Sequence, residues 1–202
     1  MRAVFKKLYN LLLRNRRLRR LTDILLPYMP ENGIILDLGC GNGDLATLLK
    51  KRIPQLDITG IEITPNINAS IPITVYDGET IPYPDNHFDS AIIITVLHHT
   101  DDYIPLLKEA KRVVKNNIIL LDHQYASRLE WLTLACIDWP GNVPFGVYTP
   151  LNFKKRTEWT SLFRELDLQE VAHNNRLYLF GKIVDSLLGK NMHFISVLQK
   201  SR

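Results

Sequence analysis

Ile35-Leu36-Asp37-Leu38 runs directly into Gly39-Cys40-Gly41-Asn42-Gly43, and Asp44-Leu45 continues with the pattern of a helix start. A strand, a turn with glycine at alternate positions and an immediate helix belong to an α/β architecture, because the turn joins the strand's carboxyl end to the helix's amino end. Alternate glycines permit positive φ and remove Cβ atoms, so a ligand can reach main chain there. The helix start adds unpaired N–H groups and a partial positive charge. This is the form of a nucleotide-cofactor loop after a first strand.

Charge narrows the ligand. A dinucleotide loop reads Gly-x-Gly-x-x-Gly and seats a pyrophosphate on the helix start. Counted from Gly39, the last glycine position holds Asp44, and Asp37 precedes the turn. Two acids there repel phosphates and suit an ammonium and a sulfonium, which favours S-adenosylmethionine over NAD. Glu62 ends a second apolar run, Thr59-Gly60-Ile61-Glu62-Ile63. It follows Gly43 at about the 20-residue offset from which an acid reaches ribose hydroxyls. Asp77, in Val75-Tyr76-Asp77-Gly78, closes a third short run.

With Phe88-Asp89-Ser90-Ala91-Ile92 and Leu97-His98-His99, these motifs make residues 34–122 resemble the class I S-adenosylmethionine-dependent methyltransferases, in particular the small type with little beyond the methyltransferase domain. The resemblance implies a Rossmann-like, doubly wound and mostly parallel seven-stranded sheet with an antiparallel edge pair. It implies that Asp37, Gly39, Cys40, Gly41 and Gly43 hold the methionine part, Glu62 the ribose and Asp77 the adenine amine, with Ile63, Gly78 and Leu97 beside them. A looser likeness to uncharacterised bacterial members covers residues 138–163 and supplies no substrate.

Apolar runs place strands at 34–38, 57–63, 73–76, 88–95, 117–122, 168–173 and 193–199, the continuous ones reading as buried parallel strands. Helices fit 44–52, 102–114 with Thr100 or Asp101 as cap, 126–137 and 157–166. Only residues 63–71 separate the second strand from the third, with Pro65 inside and Pro72 after, so the usual crossover helix is expected to be reduced or lost.

A chain of 202 residues suits one domain, here 31–202, preceded by a basic amphipathic helix or lid at 1–30. Residues 1–20 hold eight Lys or Arg and no acid, against a whole-chain net charge of +4, while Val4, Leu8, Leu11, Leu18, Leu21 and Leu25 share one helical face. A lid packing its leucines on the domain is the first reading. Contact with an anionic membrane surface is the second, since each Lys or Arg near such a surface contributes on the order of 1 kcal/mol. Nucleic acid is third, because the acidic body repels phosphates. Two cysteines without Cys-x-x-Cys spacing imply a reducing cytoplasm, with the protein peripheral to the membrane if the basic helix binds lipid.

Methyl transfer from a sulfonium is an in-line displacement that needs aligned reactants, a dry pocket and in some cases a base. His98, Asp122 and His123 fall at the carboxyl ends of strands four and five, where open α/β sheets place ligands, and are the catalytic candidates. His98, His99, Asp101 and Asp102 are read as wall and capping groups, so no metal set is assigned. Residues 131–159, rich in aromatics, Pro, Gly and Asn, read equally as an acceptor loop or as a Pro-rich connection whose aromatics cover the sheet edge. The expected acceptor is a small or lipid-linked molecule. The alternatives are an RNA or protein methyltransferase, a cofactor-binding partner subunit without activity, and an NAD-dependent oxidoreductase.

Overall fold

A computed structural model describes residues 15–64, 69–143, 146–179 and 191–201. Six longer strands and a three-residue one form a single path: β1 (Gly33–Leu38), β2 (Leu56–Glu62), β3 (Ile73–Val75), β4 (Phe88–Ile94), β5 (Val114–Tyr125), β7 (Leu168–Asn174) and β8 (His193–Lys200). Their order across the sheet is β3-β2-β1-β4-β5-β8-β7, and β6 (Lys154–Lys155) pairs with the end of β5 off that path. Neighbours from β3 to β5 are parallel, while β8 runs antiparallel to both β5 and β7. The expected mostly parallel sheet with an antiparallel edge pair is present.

Helices α1 (Asn15–Leu25), α2 (Asp44–Arg52), α3 (Ile104–Val113), α4 (Arg128–Asn142) and α5 (Arg156–Glu165) flank the sheet. Leu21 and Leu25 of α1 pack with Leu45, Ala46 and Leu49 of α2 in one core cluster, and burying a leucine contributes about 1.5–3 kcal/mol. Leu106, Leu107 and Ala110 of α3 join Trp159 and Phe163 of α5 in a second. Ile35 and Ile92 belong to the first cluster and Leu36, Ala91 and Ile93 to the second. That alternation is why the central strands read as unbroken apolar runs. The leucine stripe at 18–25 is thus a packed face, while Val4, Leu8 and Leu11 lie outside the described residues.

Two local expectations need correction. Asp102, not Thr100 or Asp101, takes the free N–H at the start of α3, its Oδ1 accepting from Ile104 at 2.9 Å. Thr100 Oγ1 instead donates back to Leu97 O and Asp101 accepts the Tyr148 hydroxyl. Helix α4 continues past Ile137 to Asn142 with Pro140 inside it. Pro140 carries no N–H, so the turn loses a backbone bond, and Asn142 Nδ2 donates to Asp138 O at 3.0 Å across the same turn.

Between β2 and β3 no helix occurs among the described residues, 65–68 lying outside them. Ser70 ties this short crossover to the glycine turn, its N–H donating to Asn42 O at 2.9 Å and its hydroxyl to Asp44 Oδ1 at 3.3 Å. On the far face, Trp159 is fully buried, lies over Tyr103 with ring centres 5.1 Å apart and donates Nε1–H to His123 O at 3.0 Å. Trp159→Phe is expected to lower the unfolding free energy by about 1–2 kcal/mol, from the lost hydrogen bond and volume, as read by urea denaturation.

Candidate functional site

The sequence-derived positions converge at the carboxyl ends of β1, β2, β3, β4 and β5. The turn after β1 is pinned to β2, with Gly39 N–H and Cys40 N–H donating to Ile61 O at 3.0 and 3.3 Å. Glu62 spans the junction: Oε2 accepts Gly41 N–H and Oε1 accepts Ile63 N–H, both at 2.9 Å. Gly41 has φ +58°, and a Cβ added there would meet nothing within 4 Å. Bare main chain therefore faces open space beside a carboxylate. Gly39 differs, since a Cβ there would fall 2.6 Å from Val96 Cγ2. Its missing side chain lets the loop after β4 close against the turn. Gly43 is the residue before α2, and Asp44 puts an acid in that helix's first turn, where a phosphate would otherwise bind.

Asp37 is 3% exposed and its Oδ2 has no hydrogen-bond partner. Burial, with Glu62 nearby, pushes its pKa up to about 7. Cys40 is held as a thiol, its pKa raised to about 12 by burial and by Asp37 and Glu62. Asp77 is exposed, and its Oδ1 accepts Glu79 and Thr80 N–H at 2.8 Å each. Those two bonds lower its pKa. Gly78 lies against Ile63. Leu97 sits in the core, and it is its N–H, donated to Asp122 Oδ2 at 3.0 Å, that belongs to the site's framework.

Beyond β4 the chain strains: Thr95, a β-branched residue, has φ +55°. The kink delivers the turn Leu97–His99, with His98 only 1% exposed. His98 Nδ1 is 2.6 Å from Asp122 Oδ1, and Nε2 is 3.5 Å from Asp138 Oδ1. Burial opposes a charge on His98, but the Asp122 and Asp138 carboxylates outweigh it and hold the imidazole up at about 9. Asp122 is fully buried, accepts His123 N–H at 2.7 Å, and is kept well below the usual carboxylate range by the facing histidines despite its burial. Burial and the charge on His98 lower His123 to about 4, so it is a neutral imidazole.

The sequence pattern gives no individual role to Asp138, Tyr148 or His193, yet all three join this cluster. Asp138 reaches it because α4 outlasts Ile137. His99 Nδ1 meets Tyr148 O at 2.8 Å, and the His193 and His123 ring centres are 4.7 Å apart. Phe153 covers the cluster, 5.7 Å from the His98 ring and 5.5 Å from His123. Part of the 131–159 stretch thus overlies the ends of β4 and β5, with 144–145 outside the described residues. The one signal in the sequence was Asp138-Trp139-Pro140-Gly141-Asn142, whose proline argues for a loop and hides a helical turn.

A family model described as a methyltransferase domain matches residues 11–173. Among curated relatives, a demethylmenaquinone methyltransferase of Thermotoga maritima is 32% identical over 104 residues, 48% of this chain and 44% of that protein. The ubiquinone/menaquinone biosynthesis C-methyltransferase UbiE of Desulfotalea psychrophila is 30% identical over 43% of this chain and 39% of its own length. The matches therefore span less than half of these relatives. Among solved structures, a SAM-dependent methyltransferase from Methanosarcina mazei superposes with TM-score 0.62 at 19% identity, covering 88% of this chain and 97% of that one. The [4+2]-cyclase SpnF gives TM-score 0.66 at 16% identity over 90% and 80%. A cyclase on the same scaffold shows that this likeness speaks for the fold alone. The family model spans most of the chain and both halves of the site, so the chain belongs to the methyltransferase-domain family, of the class I, S-adenosylmethionine-dependent kind.

Proposed function

We propose that this protein transfers a methyl group from S-adenosylmethionine to a small or lipid-linked acceptor. The observation that carries the reading is the Gly41 opening, bare main chain beside Glu62, together with a buried carboxylate at the end of β1, Asp37, whose Oδ2 lacks a partner. The residues fit the cofactor: Asp37, with Gly39, Cys40, Gly41 and Gly43, would meet its cationic methionine part, Glu62 its ribose, and Asp77, Ile63 and Gly78 its base. When bound, S-adenosylmethionine supplies a methyl group on a sulfonium. The chain's task is then to orient that methyl towards the acceptor and to exclude water.

The acceptor end of the proposed site is the cluster of His98, Asp122 and His123, with Leu97 N–H fixing Asp122. Asp122 positions His98, and His123, its pKa lowered, is the neutral imidazole able to take an acceptor proton. The relatives' names make a demethylated quinone the first acceptor class to test. A lipid-linked acceptor also gives the eight basic residues of 1–20 a purpose, as attraction to an anionic bilayer. Labelled methyl transfer to a reduced, demethylated isoprenoid quinone in anionic vesicles should fall severalfold when residues 1–14 are deleted. No transfer by the full chain would remove this acceptor class.

Asp37 provides the test of the cofactor. An acid with raised pKa holds its proton more tightly folded than unfolded, so unliganded protein loses stability as pH rises from about 4 to about 7. A cationic ligand needs the ionised form and binds better in the same direction. Calorimetry with S-adenosylhomocysteine, which keeps the ammonium, should show affinity rising about tenfold from pH 6 to pH 8 and plateauing above. Asp37→Asn should flatten that profile. Tight NADH binding without S-adenosylhomocysteine binding would end the reading.

A further inference from the structure

Among the described residues, two overlapping groups near the ends of β4 and β5 each hold three potential metal-ligating side chains: His98, Asp122 and His123, and His98, His99 and Asp138. Distances separate them. Two ligands on a tetrahedral ion with bonds of about 2.0–2.1 Å stand about 3.3–3.4 Å apart. In the first group, His98 Nδ1 and Asp122 Oδ1 are 2.6 Å apart, too close to share an ion and right for a hydrogen bond. In the second, His98 Nε2 and Asp138 Oδ1 stand 3.5 Å apart, beyond the roughly 2.7–2.9 Å of a charge-assisted hydrogen bond and close to a ligand–ligand edge. A ligand atom of His99 lies within 4.8 Å of both others.

The surroundings support the second group and not the first. His98 Nδ1 is taken by Asp122, so its Nε2 is the nitrogen left to bind, releasing its proton to solvent as the ion enters. His99 Nδ1 is taken by the Tyr148 carbonyl at 2.8 Å. Asp138 Oδ1 accepts Asn142 Nδ2 at 2.7 Å, while Asp138 Oδ2 is buried without a partner. Each of the three side chains is thus oriented by its own outer hydrogen bond, the arrangement that fixes imidazole tautomers and carboxylates around metal ions.

We infer that His98, His99 and Asp138 form a binding site for a divalent transition-metal ion of the zinc class, with Asp122, Tyr148 O and Asn142 as its outer shell. Two imidazoles and one carboxylate select such an ion over Ca2+ or Mg2+, which prefer all-oxygen sets. Three protein ligands leave a position open for an acceptor oxygen, whose hydroxyl an ion there would acidify. Only that last role rests on the proposed methyl transfer; the ion's binding does not.

The test is Co2+ titration of chelator-stripped full-length protein, read by visible d–d absorption and calorimetry. One equivalent should bind, with bands of a four- or five-coordinate ion and no sulfur charge-transfer band. Asp138→Asn and the half-exposed His99→Ala should each weaken binding at least about 100-fold, and Asn142→Ala about 10-fold or more. Far-UV circular dichroism identifies any variant that fails to fold, and His99→Ala then decides alone. Absent bands in the wild type, or a folded His99→Ala variant binding as tightly, overturns the site. S-adenosylhomocysteine calorimetry on the same samples tells that failure from failure of the methyltransferase reading.

Discussion

Gly41→Val is expected to lower S-adenosylhomocysteine affinity by at least about 100-fold while the protein stays folded. A Cβ at Gly41 meets nothing within 4 Å, so the side chain starts into open space and is not driven into the protein as at Gly39. Its fold penalty is the left-handed backbone at φ +58°, about 1–2 kcal/mol for a residue with a side chain and somewhat more when β-branched. The isopropyl group occupies the space over main chain that the ligand needs. Gly39→Val gives the contrasting result, because its Cβ would lie 2.6 Å from Val96 Cγ2 and the loop after β4 would have to move. That variant should lose stability first. Calorimetry beside urea denaturation separates the two, and Gly41→Val binding within threefold of wild type would show that the ligand does not approach the turn. Glu62→Ala should also bind poorly, since it removes the carboxylate that holds Gly41 N–H and Ile63 N–H.

The half of the site built on β1, β2 and β3 could be read from sequence because its determinants are local. A glycine turn, an acid before it and an acid about 20 residues later carry their meaning in their spacing. The crossover, without a helix among its described residues, was legible for the same reason, two prolines in a stretch too short to hold one. The other half depends on register and on one helix's length. His193 meets His123 because β8 pairs antiparallel with β5, which no spacing announces across 70 residues. Asp138 reaches His98 only because α4 runs through Pro140, against the expectation that proline ends a helix. Leu97 shows a further limit, for its position was legible while the division of labour, side chain to the core and N–H to Asp122, was not.

Asp122→Ala should be the most destabilising substitution in the cluster, costing about 3–5 kcal/mol, a large share of the 5–15 kcal/mol that holds a domain of this kind. Asp122 is fully buried, and its two oxygens accept from Leu97 N–H at 3.0 Å, His123 N–H at 2.7 Å and the His98 ring at 2.6 Å. Alanine leaves two backbone donors and an imidazole without that acceptor in a place water does not reach, and each buried unsatisfied group costs about 1–3 kcal/mol. The loss is also geometric. Leu97 N–H belongs to the turn after β4 and His123 N–H to the end of β5, so this one carboxylate joins the turn and the strand end of the proposed acceptor side. Asp122→Asn keeps shape and one acceptor oxygen but turns an amide towards a donor, and should fall between wild type and alanine. Urea denaturation with hydrogen exchange at Leu97 and His123 measures both effects. Loss of protection at these two amides while β1 and β2 stay protected is the expected signature, and a cost below about 1 kcal/mol for alanine would show that the turn after β4 is held to β5 by something else.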